Sequence, residues 1–260
     1  MLQLVSATPT EARTGGRRSP DPPGPATAQD RPTPRFHLRS SAFCPLAQRA
    51  MVALAVRGSD WSHDASARDG EPSRLTVTSA RAPVRDEGDP VAMLDLIEAL
   101  HPGQPLLPAD PARRAPLRAL MELGVEVQEC LSAVTRATAS NDHDIAVYRL
   151  RLRLLLAEDL APEGPEEDPL DLAGVVFGPT LWRMRVLDQH CQSFLLTGLD
   201  RLGRWERVLS RHPALRAVLP PTAEWTYLAT LRRRGAALLS VTDASAWRPL
   251  LGHGGLRGAG

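Results

Sequence analysis

The amino-acid sequence predicts an α+β protein in which a small mixed unit is followed by an all-helical unit. Short alternating or β-branched segments, RFHLRS, LTVTS and APVR, are interleaved with helical patterns in the stretch 35–105. From Asp110 onward the apolar residues recur mostly at helical spacing and no strand pattern remains. Residues 1–34 carry seven prolines and bury too little apolar surface to offset their ordering entropy, so we expect a disordered Pro/Arg-rich extension.

The first unit, 35–105, is predicted to have the order β-α-β-β-β-α. Its first strand begins at Arg35, and a helix begins at Pro45, because proline suits the first turn, and ends near Gly58. The last helix begins at Asp89-Pro90, where aspartate caps and proline opens the first turn. That helix stops at His101-Pro102. The remaining strands are expected at 61–65, 75–79 and 82–85.

The second unit, 110–240, is predicted to be entirely helical. Asp171 caps one of its helices, and we expect Trp182, Trp205 and Trp225 to pack in its interior. The proline-bounded segment 162–169 is interpreted as an acidic loop, and the glycine-rich residues 241–260 as a flexible tail. Helices are expected at 111–137, 144–160, 171–187, 195–210, 213–219 and 222–240.

Composition and charge exclude several classes of protein. All 31 basic residues are arginine and the formal net charge is +1, a bias that matches GC-rich codon usage. The near-neutral balance argues against a dedicated nucleic-acid binder, and the longest apolar runs are too short to span a membrane. The arginine runs at 113–114 and 232–234 are interpreted as solvated helix faces.

The cysteines and histidines indicate neither disulfides nor a metal site. Cys44, Cys130 and Cys191 form no CxxC or zinc pattern, and an odd, sparse set suits a reducing cytosol. The N-terminus lacks the basic and apolar regions of a signal peptide, so a cytoplasmic protein is expected. The histidines show no i,i+4 pairing, and we expect no metal.

Three stretches resemble the glutathione transferase superfamily, including its bacterial members, over about residues 35–235. FHLRSSAFCPLAQRAMVALAVRG is similar to the first strand, Cys-Pro active-site loop and first helix of that family. DPVAMLDLIEALHPGQPLLPADPARRAPLR resembles the last helix of its thioredoxin-like domain and the interdomain linker. DLAGVVFGPTLWRMRVL and RWERVLSRHPALRAV resemble its buried sixth helix and later helices. The resemblance implies a thioredoxin-like domain, a helical domain and a homodimer.

Cys44 is the candidate catalytic residue that this resemblance implies. A thiol just before a helix N-terminus meets partial positive charge, which favours the thiolate and lowers the pKa. In the family this position or its neighbours activate glutathione, so Ser40 and Ser41 are hydroxyl alternatives. The first unit contains no tyrosine, which excludes the family's tyrosine-type mechanism.

The glutathione site implied by the resemblance departs from the family pattern. Asp89-Pro90 stands where the family has an acid followed by serine. The resemblance implies that Asp89 would hold the γ-glutamyl end of glutathione. Asp89 as a helix N-cap followed by proline in the first turn, however, explains both residues without a ligand. The family's cis-proline has two candidates: Pro83, which follows Ala82, and Pro72, which requires the second helix to be mostly deleted. The second-substrate pocket is expected to be walled by Leu120, Leu123 and Val127.

Two functional hypotheses follow from the sequence. The first is an enzyme, a glutathione transferase or thiol transferase that uses Cys44 and takes glutathione as co-substrate with an electrophile or a disulfide. The second is a non-catalytic adaptor of the same fold that binds a protein partner. The Pro90 change, the irregular 61–89 segment and Gly174, which stands where the family has a capping aspartate, favour the adaptor.

Overall fold

The computed structural model describes residues 34–68, 70–79, 82–100, 105–163 and 170–239. These residues all belong to one compact unit, Pro32–Gly260. The predicted extension, apart from Pro34, the predicted tail and most of the predicted acidic loop lie outside the described residues.

A mixed sheet forms the first part of the fold, with strand order β2-β1-β3-β4. β1 runs parallel to β2 and antiparallel to β3, and β3 runs antiparallel to β4. Phe36 and Leu38 alternate inward on β1 and meet Val77 and Leu75 on β3, so the period-2 pattern buries one side of these strands. The strands are β1 Arg35–Arg39, β2 Asp60–Asp64, β3 Arg74–Ser79 and β4 Ala82–Glu87.

The helices follow the predicted order, with small shifts at their ends. Two pack with the sheet and the others build the helical part of the chain. A short 3-10 helix at Ala237–Leu239 replaces the last residues of the helix expected at 222–240. The helices are α1 Pro45–Val56, α2 Pro90–Leu100, α3 Pro111–Arg136, α4 Ser140–Leu160, α5 Leu172–Cys191, α6 Asp200–Leu209, α7 Pro213–Val218 and α8 Ala223–Arg233.

The connection from β2 to β3 contains no helix in the part of it that the structure describes. It is anchored instead by local polar contacts. Ser66 pairs with Ser41 as an isolated β-bridge, and the Asp64 carboxylate accepts hydrogen bonds from the Ser66 amide at 2.9 Å and its hydroxyl at 2.8 Å. These contacts bring the chain past the β1–α1 loop before β3 begins.

α5 lies at the centre of the helical part because it is buried nearly all round from Leu172 to Leu187. Trp182, within α5, and Trp205, on α6, are both buried, as predicted. Trp225, however, is 67% exposed, so the prediction that it packs in the interior is wrong. It lies on the outer side of α8, where the centre of its ring lies 4.9 Å from that of His190, with the two rings tilted by 58°.

A buried ion pair joins the two helices of the first part. Arg57, which follows α1, donates to Glu98 on α2 at 2.5 Å, and Glu98 also accepts from the Leu106 amide at 2.8 Å. The Leu106 carbonyl then accepts from Leu172 at the start of α5. This chain of contacts fixes the segment that leads from the sheet part into the helices. Among the described helices, none is long and apolar enough to cross a membrane.

Candidate active-site cleft

A cavity of about 1060 Å³ lies where the β1–α1 loop meets the helical part. One wall is the loop itself and the first turns of α1 and α2. The opposite wall is a face of α3 that runs from Arg118 to Arg136, and α5 and α8 close the remaining side. Eighteen residues of α-helix rise about 27 Å, so the cavity is an elongated cleft along α3.

Cys44 lies in this cleft as the N-cap residue of α1. Its backbone is extended, with φ −64° and ψ 115°, its carbonyl accepts the first helical hydrogen bond from Gln48, and Pro45 occupies the first turn. The half-buried sulfur lies 3.1 Å from the Ser73 hydroxyl. A sulfur at this position meets the partial positive charge of the helix N-terminus.

Two buried arginines lie near Cys44. Arg183 on α5 donates to the Phe43 carbonyl at 3.1 Å and to the Gln48 side chain at 2.5 Å, and its guanidinium lies 5.6 Å from the centre of the Tyr227 ring. Arg49 on α1 donates to the Gly124 carbonyl of α3 at 2.9 Å. Neither arginine makes an ion pair with a carboxylate in the described ranges.

Burial dominates the electrostatics of both guanidinium groups. It lowers the pKa of Arg49 to about 10, with a further lowering by the charge of Arg183, while the Cys44 charge raises that pKa. Burial likewise lowers the pKa of Arg183, whereas Tyr227 and Cys44 raise it. The Cys44 sulfur is thus electrostatically coupled to both guanidinium groups.

Asp89 lies on the cleft wall and also caps α2. Its Oδ1 accepts hydrogen bonds from the Val91 amide at 3.0 Å and the Ala92 amide at 2.8 Å, with Pro90 opening the helix. The N-cap interpretation is therefore confirmed. Within the described residues the second carboxylate oxygen accepts no hydrogen bond. Capping and ligand binding consequently do not exclude each other at this residue.

No protein-family model matches this sequence, and no curated protein matches it. Solved structures do. Glutathione transferase Omega 2S from Trametes versicolor is 16% identical, with a TM-score of 0.63 over 80% of this chain and 99% of that one. The Tau class enzyme of mango, Mangifera indica, is 19% identical, with a TM-score of 0.59 over 75% of this chain and 97% of that one.

A third structural neighbour is maleylacetoacetate isomerase from Anaeromyxobacter dehalogenans, with glutathione bound in its active site. It is 18% identical, with a TM-score of 0.54 over 72% of this chain and 95% of that one. The chain has the glutathione transferase fold. The predicted thioredoxin-like part followed by a helical part is thereby confirmed.

Within this glutathione transferase fold, the two hydroxyl alternatives to Cys44, Ser40 and Ser41, occupy different environments. Ser40 is fully buried; its hydroxyl donates to the Ser41 carbonyl at 3.0 Å and lies 2.8 Å from His63 Nε2. It is not part of the cleft wall, so the structure contradicts Ser40 as a nucleophile. Ser41 does line the cleft, and its carbonyl accepts from the Cys44 amide at 3.1 Å.

Ala82 and Pro83, the residues expected to contact the ligand, lie at the far end of β3 from Cys44. In the β1–β3 register Arg39, at the Cys44 end of β1, pairs with Arg74, and Ser79 at the other end of β3 pairs with Ala82. Ala82 is therefore separated from the Cys44 end by the length of β3, about 17 Å. Pro72, in contrast, lies beside the cleft, because its neighbour Glu71 lines the cleft and its neighbour Ser73 contacts Cys44.

The predicted cis-proline is also absent. No cis peptide bond occurs among the described residues, so Pro72 and Pro83 both follow trans bonds. Pro72 is the candidate that required loss of the second thioredoxin-like helix, and the helix-free connection from β2 to β3 meets that requirement.

The predicted wall residues of the second-substrate pocket lie on the strip of α3 next to the one that faces the cleft. Leu120, Leu123 and Val127 are buried in the core rather than in the cleft. The helix itself is the wall, as expected, but the residues exposed to the cleft are those on the adjacent strip, such as Met121 and Val125.

Sequence reasoning missed the contributions from the far end of the chain. Tyr227 on α8 lines the cleft, with its ring 5.7 Å from that of Phe43. Burial raises the pKa of Tyr227 to about 12, so the phenol stays protonated and does not act as a phenolate at neutral pH. Arg183 and Tyr227 carry no local motif; Trp182 beside Arg183 marked only a packed helix.

The remaining titratable groups do not form a second centre in the described part of the chain. Cys130 and Cys191 are free and half-buried, and burial raises the pKa of both thiols, that of Cys191 to about 11. No cluster of three metal-ligating side chains occurs among the residues that the structure describes.

Proposed function

We propose that this protein is a thiol-dependent glutathione transferase in which Cys44 carries the glutathionyl group. The observation that carries the proposal is the position of the Cys44 sulfur: it lies at the N-terminus of α1, on a cleft wall, within the field of two buried arginines. Thiols in electropositive, partly exposed surroundings are the reactive ones in proteins.

The reaction is disulfide exchange with a glutathione mixed disulfide. The Cys44 thiolate attacks the glutathione sulfur, a bond forms between the two sulfurs, and the substrate thiol leaves with the electron pair and takes a proton from solvent. A second glutathione thiolate then attacks the glutathionyl sulfur on Cys44. Glutathione disulfide is released and the Cys44 thiolate is restored, so the substrate is reduced at the expense of glutathione.

Glutathione is proposed to bind with its γ-glutamyl ammonium near Asp89, whose carboxylate faces the cleft while capping α2. Two solved forms of the Anaeromyxobacter isomerase, holding glutathione and dicarboxyethyl glutathione in their active sites, support this choice of co-substrate. The trans bond at Pro72 leaves the cysteinyl part to be held by other groups, and the Ser73 hydroxyl near Cys44 is the candidate.

Turnover and binding together test the proposal. Wild-type protein is expected to reduce a glutathione mixed disulfide of 2-mercaptoethanol, Cys44→Ala to lose that activity, and Cys130→Ala, the matched control, to keep it. Cys44→Ala is expected to remain folded by circular dichroism, because a small half-buried side chain contributes modestly. Activity that survives in Cys44→Ala would overturn the proposal.

The proposed binding of glutathione by Asp89 is tested by a substitution that separates ligand binding from helix capping at this residue. Asp89→Asn removes the carboxylate charge but keeps a good N-cap, whereas Asp89→Ala loses the cap, which costs about 1 kcal/mol. We expect Asp89→Asn to raise the KM for glutathione about tenfold with an unchanged melting temperature. Failure of wild-type protein to bind immobilised glutathione, together with no Cys44-dependent turnover, would leave the adaptor hypothesis.

A cytoplasmic homodimer is part of the proposal. An exposed apolar stripe runs along α4, with Tyr148 and Leu156 each four residues from Leu152, so an antiparallel pairing of two copies about Leu152 brings apolar side chains together. The stripe comprises Ile145, Tyr148, Leu152, Leu155, Leu156 and Leu160. Light scattering should show a dimer for wild type and a monomer for Leu152→Glu; a wild-type monomer at micromolar concentration would contradict this assembly.

A further inference from the structure

One end of the cleft lies between the last turns of α3 and α8, and we call it the α3–α8 arm. It is lined by Ser132, Thr135 and Arg136 from α3 and by Thr230 and Arg234 from α8. The Ala237 amide donates to the Ala137 carbonyl at 2.7 Å, which ties the two helix ends together. The arm is therefore held in place by main-chain contact.

The arm begins beside the proposed nucleophile. The Tyr227 ring lies 5.7 Å from the ring of Phe43, the residue before Cys44. From Tyr227 the helix runs seven residues to Arg234, a rise of about 10 Å. A group bound between Arg136 and Arg234 would consequently lie roughly 10 Å further along the cleft than Tyr227.

The charge of the arm is positive. Arg136 and Arg234 both line it, and Arg232 and Arg233 precede Arg234 in the last turn of α8. Arg136 makes no ion pair with any carboxylate in the described ranges. The acidic residue of the cleft nearest to it along α3 is Glu129, two turns earlier, whose charge acts on Arg49.

The walls of the arm are hydroxyl-bearing. Ser132 Oγ accepts a hydrogen bond from Gln128 Nε2 at 3.0 Å, and its own proton has no acceptor among the described residues. Toward the other end of the cleft, by contrast, the wall includes Met121, Val125 and Val176, which suit an uncharged group. The arm thus differs in chemistry from the rest of the cleft.

We propose that the α3–α8 arm binds a carboxylate of the second substrate, with Arg136 and Arg234 as the residues that select it. The inference rests on the proposed glutathione function and narrows its substrate class to thiols and disulfides that carry a carboxylate at the end remote from the sulfur. Guanidinium groups match carboxylates in geometry as well as charge, and the Ser132 hydroxyl supplies a further donor.

The test compares two ligands of equal length by calorimetry: S-hexylglutathione, which ends in a methyl group, and S-(5-carboxypentyl)glutathione, which ends in a carboxylate. Wild-type protein is expected to bind the carboxylate ligand about fivefold more tightly at low salt, and less so at high salt, because partly exposed charge pairs are modest and screened. The double variant Arg136→Gln/Arg234→Gln should lose the preference while keeping its affinity for S-hexylglutathione.

Arg118→Gln is the matched control, since Arg118 lines the same cleft at the opposite end of α3. It should leave the preference unchanged. The inference is overturned if wild type binds the two ligands equally. It is also overturned if the preference for the carboxylate ligand survives in the double variant or disappears in Arg118→Gln. In each of these cases the proposed glutathione function still stands. If neither ligand binds and Cys44-dependent turnover is also missing, the proposed function fails and the inference fails with it.

Discussion

Gly124 marks the closest approach of α3 to α5, and its replacement by alanine tests how tightly the cleft wall is held. A Cβ at this position would lie 2.6 Å from Val176 Cγ1 and 2.8 Å from Phe177 Cε2. Ordinary carbon–carbon contacts are about 3.5–4.0 Å, so the helices must separate by roughly 1 Å. Val176 and Phe177 are buried, and neither side chain has a flexible end that can move aside.

The expected cost combines two opposing effects. Overpacking a well-packed core costs about 1–3 kcal/mol, and this contact belongs at the upper end because two stiff side chains are involved. Replacing glycine by alanine inside a helix returns up to about 1 kcal/mol. We therefore expect Gly124→Ala to lower the free energy of unfolding by about 2 kcal/mol, or the melting temperature by about 4–8 °C.

Gly203→Ala is the matched control for the measurement. Gly203 is also inside a helix, but its added Cβ would meet only the end of the Arg207 side chain at 3.7 Å. The same substitution should there raise the free energy of unfolding by about 0.5–1 kcal/mol. Urea denaturation followed by circular dichroism measures both. A Gly124→Ala protein as stable as wild type would refute the close packing of α3 on α5.

Two further predictions concern Arg183 and His143. Arg183→Met removes the donors to the Phe43 carbonyl and the Gln48 side chain. A hydrogen bond from a charged group is worth about 1.5–3 kcal/mol, so kcat/KM for disulfide exchange should fall about ten- to a hundredfold. An unchanged kcat/KM in the folded variant would contradict this role of Arg183. Burial lowers the pKa of His143 below its ordinary value of 6.5. As the pH falls below 6.5, the imidazole is therefore protonated in the unfolded chain before it is protonated in the folded protein, and the free energy of unfolding decreases. Wild type should therefore lose more stability between pH 7.5 and pH 5 than His143→Gln, and equal losses would contradict the assignment.

The helix starts were predictable because their chemistry is local. Pro45 and Pro90 occupy first turns, and Asp89 and Asp171 cap their helices with hydrogen bonds to backbone amides, as the sequence alone indicated. The order of strands and helices along the chain also followed, since each strand carries its own alternation. These features depend on residues within a few positions of one another.

The parts of the cleft that escaped prediction depend on tertiary packing. α3 is apolar on both the strip that faces the core and the strip that faces the cleft, so periodicity could not separate Leu120 from Met121. Arg183 contacts Phe43 across 140 residues of sequence, a contact that no local pattern encodes. The register of β3, which decides which hairpin end lies beside Cys44, is likewise not encoded by any local pattern.

The most direct test of the central claim is to locate the glutathionyl group by mass spectrometry. Protein treated with glutathione disulfide at neutral pH should carry one glutathionyl adduct on the Cys44 peptide, and added glutathione should remove it. Cys130 and Cys191 should remain unmodified at the same exposure, because burial raises the pKa of both thiols. An adduct confined to Cys130 or Cys191, or none at all, would contradict Cys44 as the residue that carries glutathione.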